Sequence, residues 1–253
     1  MAALPAGSEK AVSVSDIPYP GNERARPRAL PDAAAGVRLF WCELDNHDEA
    51  LGVLSGWLSP AEHAREARYG RPALARRYVA GRAALRWVLG TLLGITPKDV
   101  AIERGERGRP RLADAIALDF NVSNTRNVTV IAVCESAGVR VGIDLEHGER
   151  TLNHAALARK FLTTRERAAL SGRTDDEQRR AFLRAWTCKE AMSKATGDAL
   201  SAPLRYLDVG LEPALALVDG PEPYVPGRWS LASVDVPQPY LATLAIWDRA
   251  RDT

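Results

Sequence analysis

Four side chains in the second half of this 253-residue chain could do chemistry together. Asp144 and Glu146 stand two apart in Gly142-Ile143-Asp144-Leu145-Glu146. Glu190 and Lys194 stand four apart in Trp186-Thr187-Cys188-Lys189-Glu190-Ala191-Met192-Ser193-Lys194. The apolar run 139–145 reads as a strand, on which residues i and i+2 share a face. Both carboxylates therefore project together, with Ile143 and Leu145 turned to the core. Two carboxylates on one face repel unless a cation lies between them. Mg²⁺ suits that place, since it takes one or two carboxylates plus substrate phosphate oxygens. Residues 176–195 contain no Gly or Pro and read as a helix, on which Trp186, Glu190 and Lys194 form one stripe. Such a set could hold a divalent cation on a diphosphate, neutralise a phosphate and manage a proton. Taken singly, each motif has a plainer reading. The first could be a strand ending in a solvated acidic turn, the second a surface Glu–Lys pair worth about 0.2–0.5 kcal/mol.

The order of the motifs makes the reading specific. The GIDLE strand, the helix with W-x-x-K-E-A-x-x-K and the tail Gly197-Asp198-Ala199-Leu200-Ser201-Ala202-Pro203-Leu204 follow one another. Gly108-Arg109-Pro110 and Phe120-Asn121-Val122-Ser123-Asn124-Thr125 precede them. From about Val37 to Trp247 the chain closely resembles the 4′-phosphopantetheinyl transferases of the larger, single-chain, surfactin-synthetase-activating type. The resemblance implies an α+β fold of two pseudo-symmetric halves with the active site in the cleft between them. It implies transfer of the phosphopantetheine arm of coenzyme A (CoA) to a serine of an apo acyl or peptidyl carrier protein. Adenosine 3′,5′-bisphosphate would be the other product and Mg²⁺ the cofactor. Asp144 and Glu146 match the family's metal-binding acids. Glu190 matches a third acid that is either a metal ligand or the base for the serine hydroxyl. Lys194 matches the lysine on the CoA phosphates, Arg77 a basic residue at the CoA 3′-phosphate, and Arg109 a basic residue near the nucleotide. Ser123 lies where the family contacts the diphosphate. Asn124 stands where the family commonly has a phosphate-contacting histidine; its amide can donate a hydrogen bond but carries no charge.

Two other function classes remain open. One is a catalytically impaired module of the same fold that grips CoA or a carrier protein. The other is an unrelated Mg²⁺-dependent phosphotransferase, disfavoured because no phosphate-binding glycine loop of the G-x-x-x-x-G-K-[ST] kind is present. A serine hydrolase lacks its G-x-S-x-G elbow. A formal net charge of +2 speaks against a nucleic-acid coat. The Arg-rich run 104–111 reads instead as a hairpin turn on Gly105 and Gly108. No apolar run reaches membrane-spanning length, and the start does not resemble a signal peptide. Cys42, Cys134 and Cys188 form no Cys-x-x-Cys, which fits a reduced cytosol, and Cys188 reads as a packing residue. His47, His63, His147 and His154 show no metal-ligand spacing, and His147, which follows Glu146, reads as a surface or structural residue rather than a site residue.

The elements that must position these groups are written twice. Residues 1–36, rich in Ala, Pro, Ser and Gly, read as a flexible tail, 37–138 as one α+β half on the CoA nucleotide side, and 139–253 as the half carrying the acids. Val37-Arg38-Leu39 recurs as Val139-Arg140-Val141, an offset of 102 residues. Ser59 with Glu62 and Thr163 with Glu166 both read as helix-opening capping boxes. Arg82-Ala83-Ala84 aligns with Lys189-Glu190-Ala191 at an offset of 107. The first half has Cys42 and Leu44 where the second has Asp144 and Glu146, so only the second could bind a metal. Its long helix offers Arg76, Arg77, Arg82 and Arg86 instead. Arg82 and Arg86 read as part of a solvated helix face with a few ion pairs. With two like halves in one chain, a monomer is expected.

Overall fold

The protein was analysed as a computed structural model that describes residues 18–45, 47–105, 107–113 and 117–250. It is an α+β structure with antiparallel sheets. Contacts divide the chain into two compact units: residues up to Arg26 with Asp45–Val100, and Pro27–Leu44 with Ala101–Thr253. The sequence boundary at 138/139 falls inside the second unit.

The first unit is helical, with α1 Leu51–Ser55, α2 Pro60–Glu66 and α3 Pro72–Leu93. Ser59 caps α2 in the expected box, and Pro60 sits at the first helical position, where its missing N–H costs nothing. Ala50, Leu54, Leu58, Val79 and Ala83 form the core. Residues 18–26 belong to this unit and are not a loose tail. The Tyr19 ring stands edge-on to Trp87 at 5.3 Å, and Ala25 is fully buried. The rest of the proposed tail, residues 1–17, lies outside the described residues.

The second unit opens with β1 Arg28–Ala29, which pairs with β2 Val37–Glu43 and so also departs from the tail expectation. The hairpin β3 Ile102–Arg104 and β4 Pro110–Leu112 turns at Gly108, whose φ of +77° favours glycine. Then come β5 Asp119–Thr125, β6 Val128–Cys134 and β7 Val139–His147. Helices α4 His154–Phe161, α5 Thr164–Leu170 and α6 Asp175–Thr196 follow. Strands β8 Asp208–Gly210, β9 Ala216–Asp219, β10 Trp229–Val234 and β11 Tyr240–Asp248 complete the chain. One sheet runs β1-β2-β6-β5 and another β10-β11-β7. Leu39, Trp41, Val130 and Ala132 of the first meet Val141, Ile143, Ala242 and Leu244 of the second in one core. Helix α6 buries Phe182, Ala185, Cys188 and Met192 in another.

Several elements resemble one another in pairs. β2 pairs with β6 as β7 pairs with β11, both antiparallel. α3 and α6 each span 22 residues and stop at a left-handed glycine, Gly94 and Gly197. The ion pairs repeat as well. Glu62 of the first capping box receives Arg82 Nε at 2.7 Å and Arg86 Nε at 2.8 Å. Glu166 of the second receives Lys189 Nζ at 2.7 Å. The structure corrects the solvated helix face expected of Arg82 and Arg86: Arg86 is buried, and both arginines pair with the buried Glu62 inside the fold. Among the described residues no helix is long and apolar enough to cross a membrane.

Candidate active site

Strand β7 and helix α6 meet where Gly142 faces Ala191. A Cβ on Gly142 would overlap the Ala191 carbonyl oxygen and lie 2.8 Å from Ala195 N. Only glycine permits this approach, which is why the acidic motif begins with one. The helix brings Lys194 against the strand. Its Nζ donates to Asp144 Oδ1 at 2.6 Å, Ser123 Oγ at 2.8 Å and the Ile143 carbonyl at 3.1 Å. Ser123 on β5 in turn donates to Asp144 Oδ1 at 3.1 Å and accepts from Leu145 N at 3.1 Å. Asp144 is buried, and its Oδ2 has no hydrogen-bond partner among the described residues.

Glu146 and Glu190 flank this centre electrostatically. Burial pushes the Glu146 carboxyl above its usual range; the Asp144 charge adds to that, while Arg150, at 2.7 Å from Glu146 Oε1, opposes it. Burial also raises Glu190, helped by Asp144 and Glu146 and opposed by Lys194. Negative charge is therefore in excess, which is what a cation would relieve. The donors are all carboxylate oxygens, and one of them is a buried, unpartnered Asp144 atom. That chemistry fits Mg²⁺, which completes its shell with water and phosphate oxygens. Among the described residues, however, no three His, Cys, Asp or Glu side chains already stand together as a ligand set.

The other expected residues are placed differently from one another. Arg77 lies in the first unit, where its Nε donates to Asp45 Oδ1 at 2.5 Å and Nη2 to Oδ2 at 3.0 Å. Arg109 is committed inside the second unit. It grips Asp119 with two bonds of 2.7 Å, the Val141 carbonyl at 2.8 Å and the Lys194 carbonyl at 3.0 Å. Asn124 is exposed, and strand alternation sets it on the face of β5 opposite Ser123. The neighbouring Lys189 is a core residue, its three N–H bonds spent on Glu166, the Phe161 carbonyl and the Leu204 carbonyl. Cys188 is fully buried, and burial pushes its thiol up to about 12, so it is no nucleophile. His147 is buried against Tyr240 and accepts from Glu149 N.

Sequence reasoning gave no role to Asp119 or Asn121. Asp119 Oδ2 accepts from Val141 N at 2.8 Å, and Asn121 Oδ1 from Ile143 N at 3.0 Å. The available signal was polar residues at i, i+2 and i+4 (Asp119, Asn121, Ser123) on a strand whose alternate residues are Phe120 and Val122.

Comparison with known proteins was consistent over both halves. The family model for the 4′-phosphopantetheinyl transferase superfamily matches residues 140–223, and that for the 4′-phosphopantetheinyl transferase N-terminal region matches residues 46–136. The chain is 38% identical over 191 residues to 4′-phosphopantetheinyl transferase HetI of Nostoc sp., covering 74% of this chain and 79% of that protein. It is 32% identical over 152 residues to a putative 4′-phosphopantetheinyl transferase of Synechocystis sp., covering 59% and 61%. It is 26% identical over 155 residues to 4′-phosphopantetheinyl transferase Sfp of Bacillus subtilis, covering 61% and 67%. With matches on both sides of the Ser123–Asp144–Lys194 contact, the chain belongs to the 4′-phosphopantetheinyl transferase superfamily.

Proposed function

We propose that this protein transfers the 4′-phosphopantetheine of CoA to a serine hydroxyl of an apo acyl or peptidyl carrier protein. The transfer would depend on Mg²⁺ and release adenosine 3′,5′-bisphosphate. The observation that carries the reading is the meeting of Lys194, Ser123 and the partly unpartnered carboxylate of Asp144, in a chain that belongs to this family. Asp144 and Glu146 would hold the ion, with Glu190 as a third ligand or as the base. When bound, the ion would polarise the diphosphate and offset charge on the leaving bisphosphate.

The chain's own groups supply the rest. A serine hydroxyl must lose its proton as it attacks, and a carboxylate raised above its ordinary range is a better acceptor than an ordinary one. Glu190 is such a group. All three N–H bonds of Lys194 are engaged, so it would act on a CoA phosphate mainly as a nearby positive charge. Arg77 is proposed for the CoA 3′-phosphate and would exchange its exposed Asp45 partner for the ligand. Asn124 is proposed as an uncharged donor to CoA.

The halves 37–138 and 139–253 are proposed as two copies of a duplicated unit, a reading supported by the repeated capping-box ion pairs. A monomer is proposed as well, on the ground that two like halves already sit in one chain. Three free, buried thiols suit the cytoplasm. The test is intact-mass analysis of apo acyl and peptidyl carrier proteins after incubation with the protein, CoA and Mg²⁺. A gain of one phosphopantetheine, abolished by EDTA and by Asp144→Ala, is expected. Full transfer by Asp144→Ala would remove the basis for the metal assignment.

A further inference from the structure

The turn between β3 and β4 lies on the C-terminal end of α6. Gly197 ends that helix in the left-handed region, and a Cβ there would stand 3.3 Å from Arg109 Cβ and 3.7 Å from Arg107 Cβ. Arg109 Nε also donates to the Lys194 carbonyl at 3.0 Å. Asp198, in the tail motif that follows α6, ties this turn to the core. Its Oδ1 accepts from Arg107 Nη1. Its Oδ2 accepts from the Tyr224 hydroxyl at 2.6 Å. Tyr224 is fully buried, and its hydroxyl lies 2.9 Å from Thr196 Oγ1. Burial pushes that hydroxyl well above its usual range and the bond to Asp198 adds to the effect, so it keeps its proton and donates.

The two partners of Asp198 differ in what they can do. Tyr224 is a fixed core residue, stacked on Trp229 at 5.4 Å. Arg107 is exposed, and an ion pair with an exposed arginine adds little to stability. What the pair can do is restrain the turn. Gly105 N donates to the Arg109 carbonyl at 2.8 Å and Gly108 N to the Gly105 carbonyl at 2.8 Å, so Arg107 sits inside a closed loop with Arg109 at its end. Holding Arg107 therefore limits where Arg109 can move. We infer that Asp198, braced by Tyr224, is a positioning residue for CoA binding: it holds the β3–β4 turn on α6 and so keeps Arg109 in place for the anionic nucleotide end of CoA. The inference rests on the transferase reading above, with Arg109 as the basic residue near the nucleotide. The sign of the effect sets it apart. Asp198 is itself negative, so by charge alone its removal would strengthen binding of a polyanion. As a brace, its removal weakens binding.

The test compares Asp198→Ala and Tyr224→Phe with the unaltered protein, and repeats Asp198→Ala in an Arg109→Ala background. The readouts are kcat and KM for CoA, the Kd for adenosine 3′,5′-bisphosphate by calorimetry, amide hydrogen exchange at Gly105 and Gly108, and Tm. Asp198→Ala should raise KM and Kd about three- to tenfold, the size of one lost hydrogen bond. It should leave kcat within about twofold, since the acids and Lys194 are untouched. Exchange at Gly105 and Gly108 should quicken. Tyr224→Phe, which removes only a hydroxyl, should shift the same readouts in the same direction by less. In the Arg109→Ala background, Asp198→Ala should change Kd by less than about twofold, because residues that act as one unit do not add. Tighter bisphosphate binding would overturn the inference, as would a fall in Tm with KM and Kd unchanged. Equal effects of Asp198→Ala in both backgrounds would also overturn it. If Asp198→Ala does not fold, Tyr224→Phe decides by the same readouts. If the unaltered protein modifies no carrier, the transferase reading fails, and unchanged exchange at Gly105 and Gly108 in Asp198→Ala would separately refute the brace.

Discussion

Replacing Gly142 by alanine tests whether the packing of α6 on β7 sets the active centre. The new Cβ would lie 2.8 Å from Ala195 N and 2.9 Å from Ala191 C, and would overlap the Ala191 carbonyl oxygen. These are backbone atoms of a helix and cannot swing aside. Restoring ordinary contact requires α6 and β7 to separate by about 1 Å, because interiors are close-packed and leave no void to absorb the methyl group. Overpacking of this kind costs about 1–3 kcal/mol. At roughly 2–4 °C per kcal/mol for a chain of this size, Tm should fall by several degrees. Activity should fall further than stability. Lys194 travels with α6 and Asp144 with β7, and their bond is 2.6 Å. A displacement of about 1 Å at a reacting centre costs on the order of a hundredfold in rate. The assay is the initial rate of phosphopantetheine transfer by intact mass, run well below Tm, alongside calorimetric unfolding. Gly52→Ala is the control, since nothing lies within 4 Å of a Cβ there. Wild-type Tm and a rate within about twofold for Gly142→Ala would refute the reasoning, because the cited displacement effect is far larger.

Two further outcomes follow from the repeated ion pairs. Lys189→Met leaves the Glu166 charge buried without its cation, and breaking such a pair costs about 3–5 kcal/mol in urea unfolding; a loss below about 1 kcal/mol would refute the assignment. Burial pushes the Glu62 carboxyl up, but Arg82, the Ser59 N–H and Arg86 outweigh it and hold the group below its usual range. Its contribution to stability is therefore present above the ordinary glutamate pKa and lost as pH falls through the lowered one. Glu62→Gln should lower Tm clearly at pH 7 and progressively less as pH falls below about 4, the ordinary glutamate range. A Tm deficit that does not change with pH would contradict this.

Much of this was legible because the signals are local. A strand period of two put Asp144 and Glu146 together, and β7 carries them as expected. An uninterrupted helical run gave α6, which spans Asp175–Thr196. Ser59-Glu62 and Thr163-Glu166 are capping boxes in the structure as in the sequence. Residues 18–36 were misread because composition records flexibility but not long-range partners. The Tyr19 ring contact and the two-residue pairing of Arg28–Ala29 with β2 have no local signature.

The sequence by itself determined the inventory: which acids share a strand face, which helix carries Glu190 and Lys194, where the helices start, and which half has Cys42 and Leu44 in place of the acids. These depend on residue type and on fixed periods of two and 3.6. Tertiary structure decided what each polar group is free to do. Lys189 and Lys194 sit on one helix, yet one is sealed in the core against Glu166 and the other stands at Asp144. Ser123 and Arg109 carry the types expected of phosphate contacts, and in the folded chain they bond to β7, α6 and Asp119. Hydrogen-bonding capacity is finite, and only the folded neighbours 10 to 85 residues away fix how it is used.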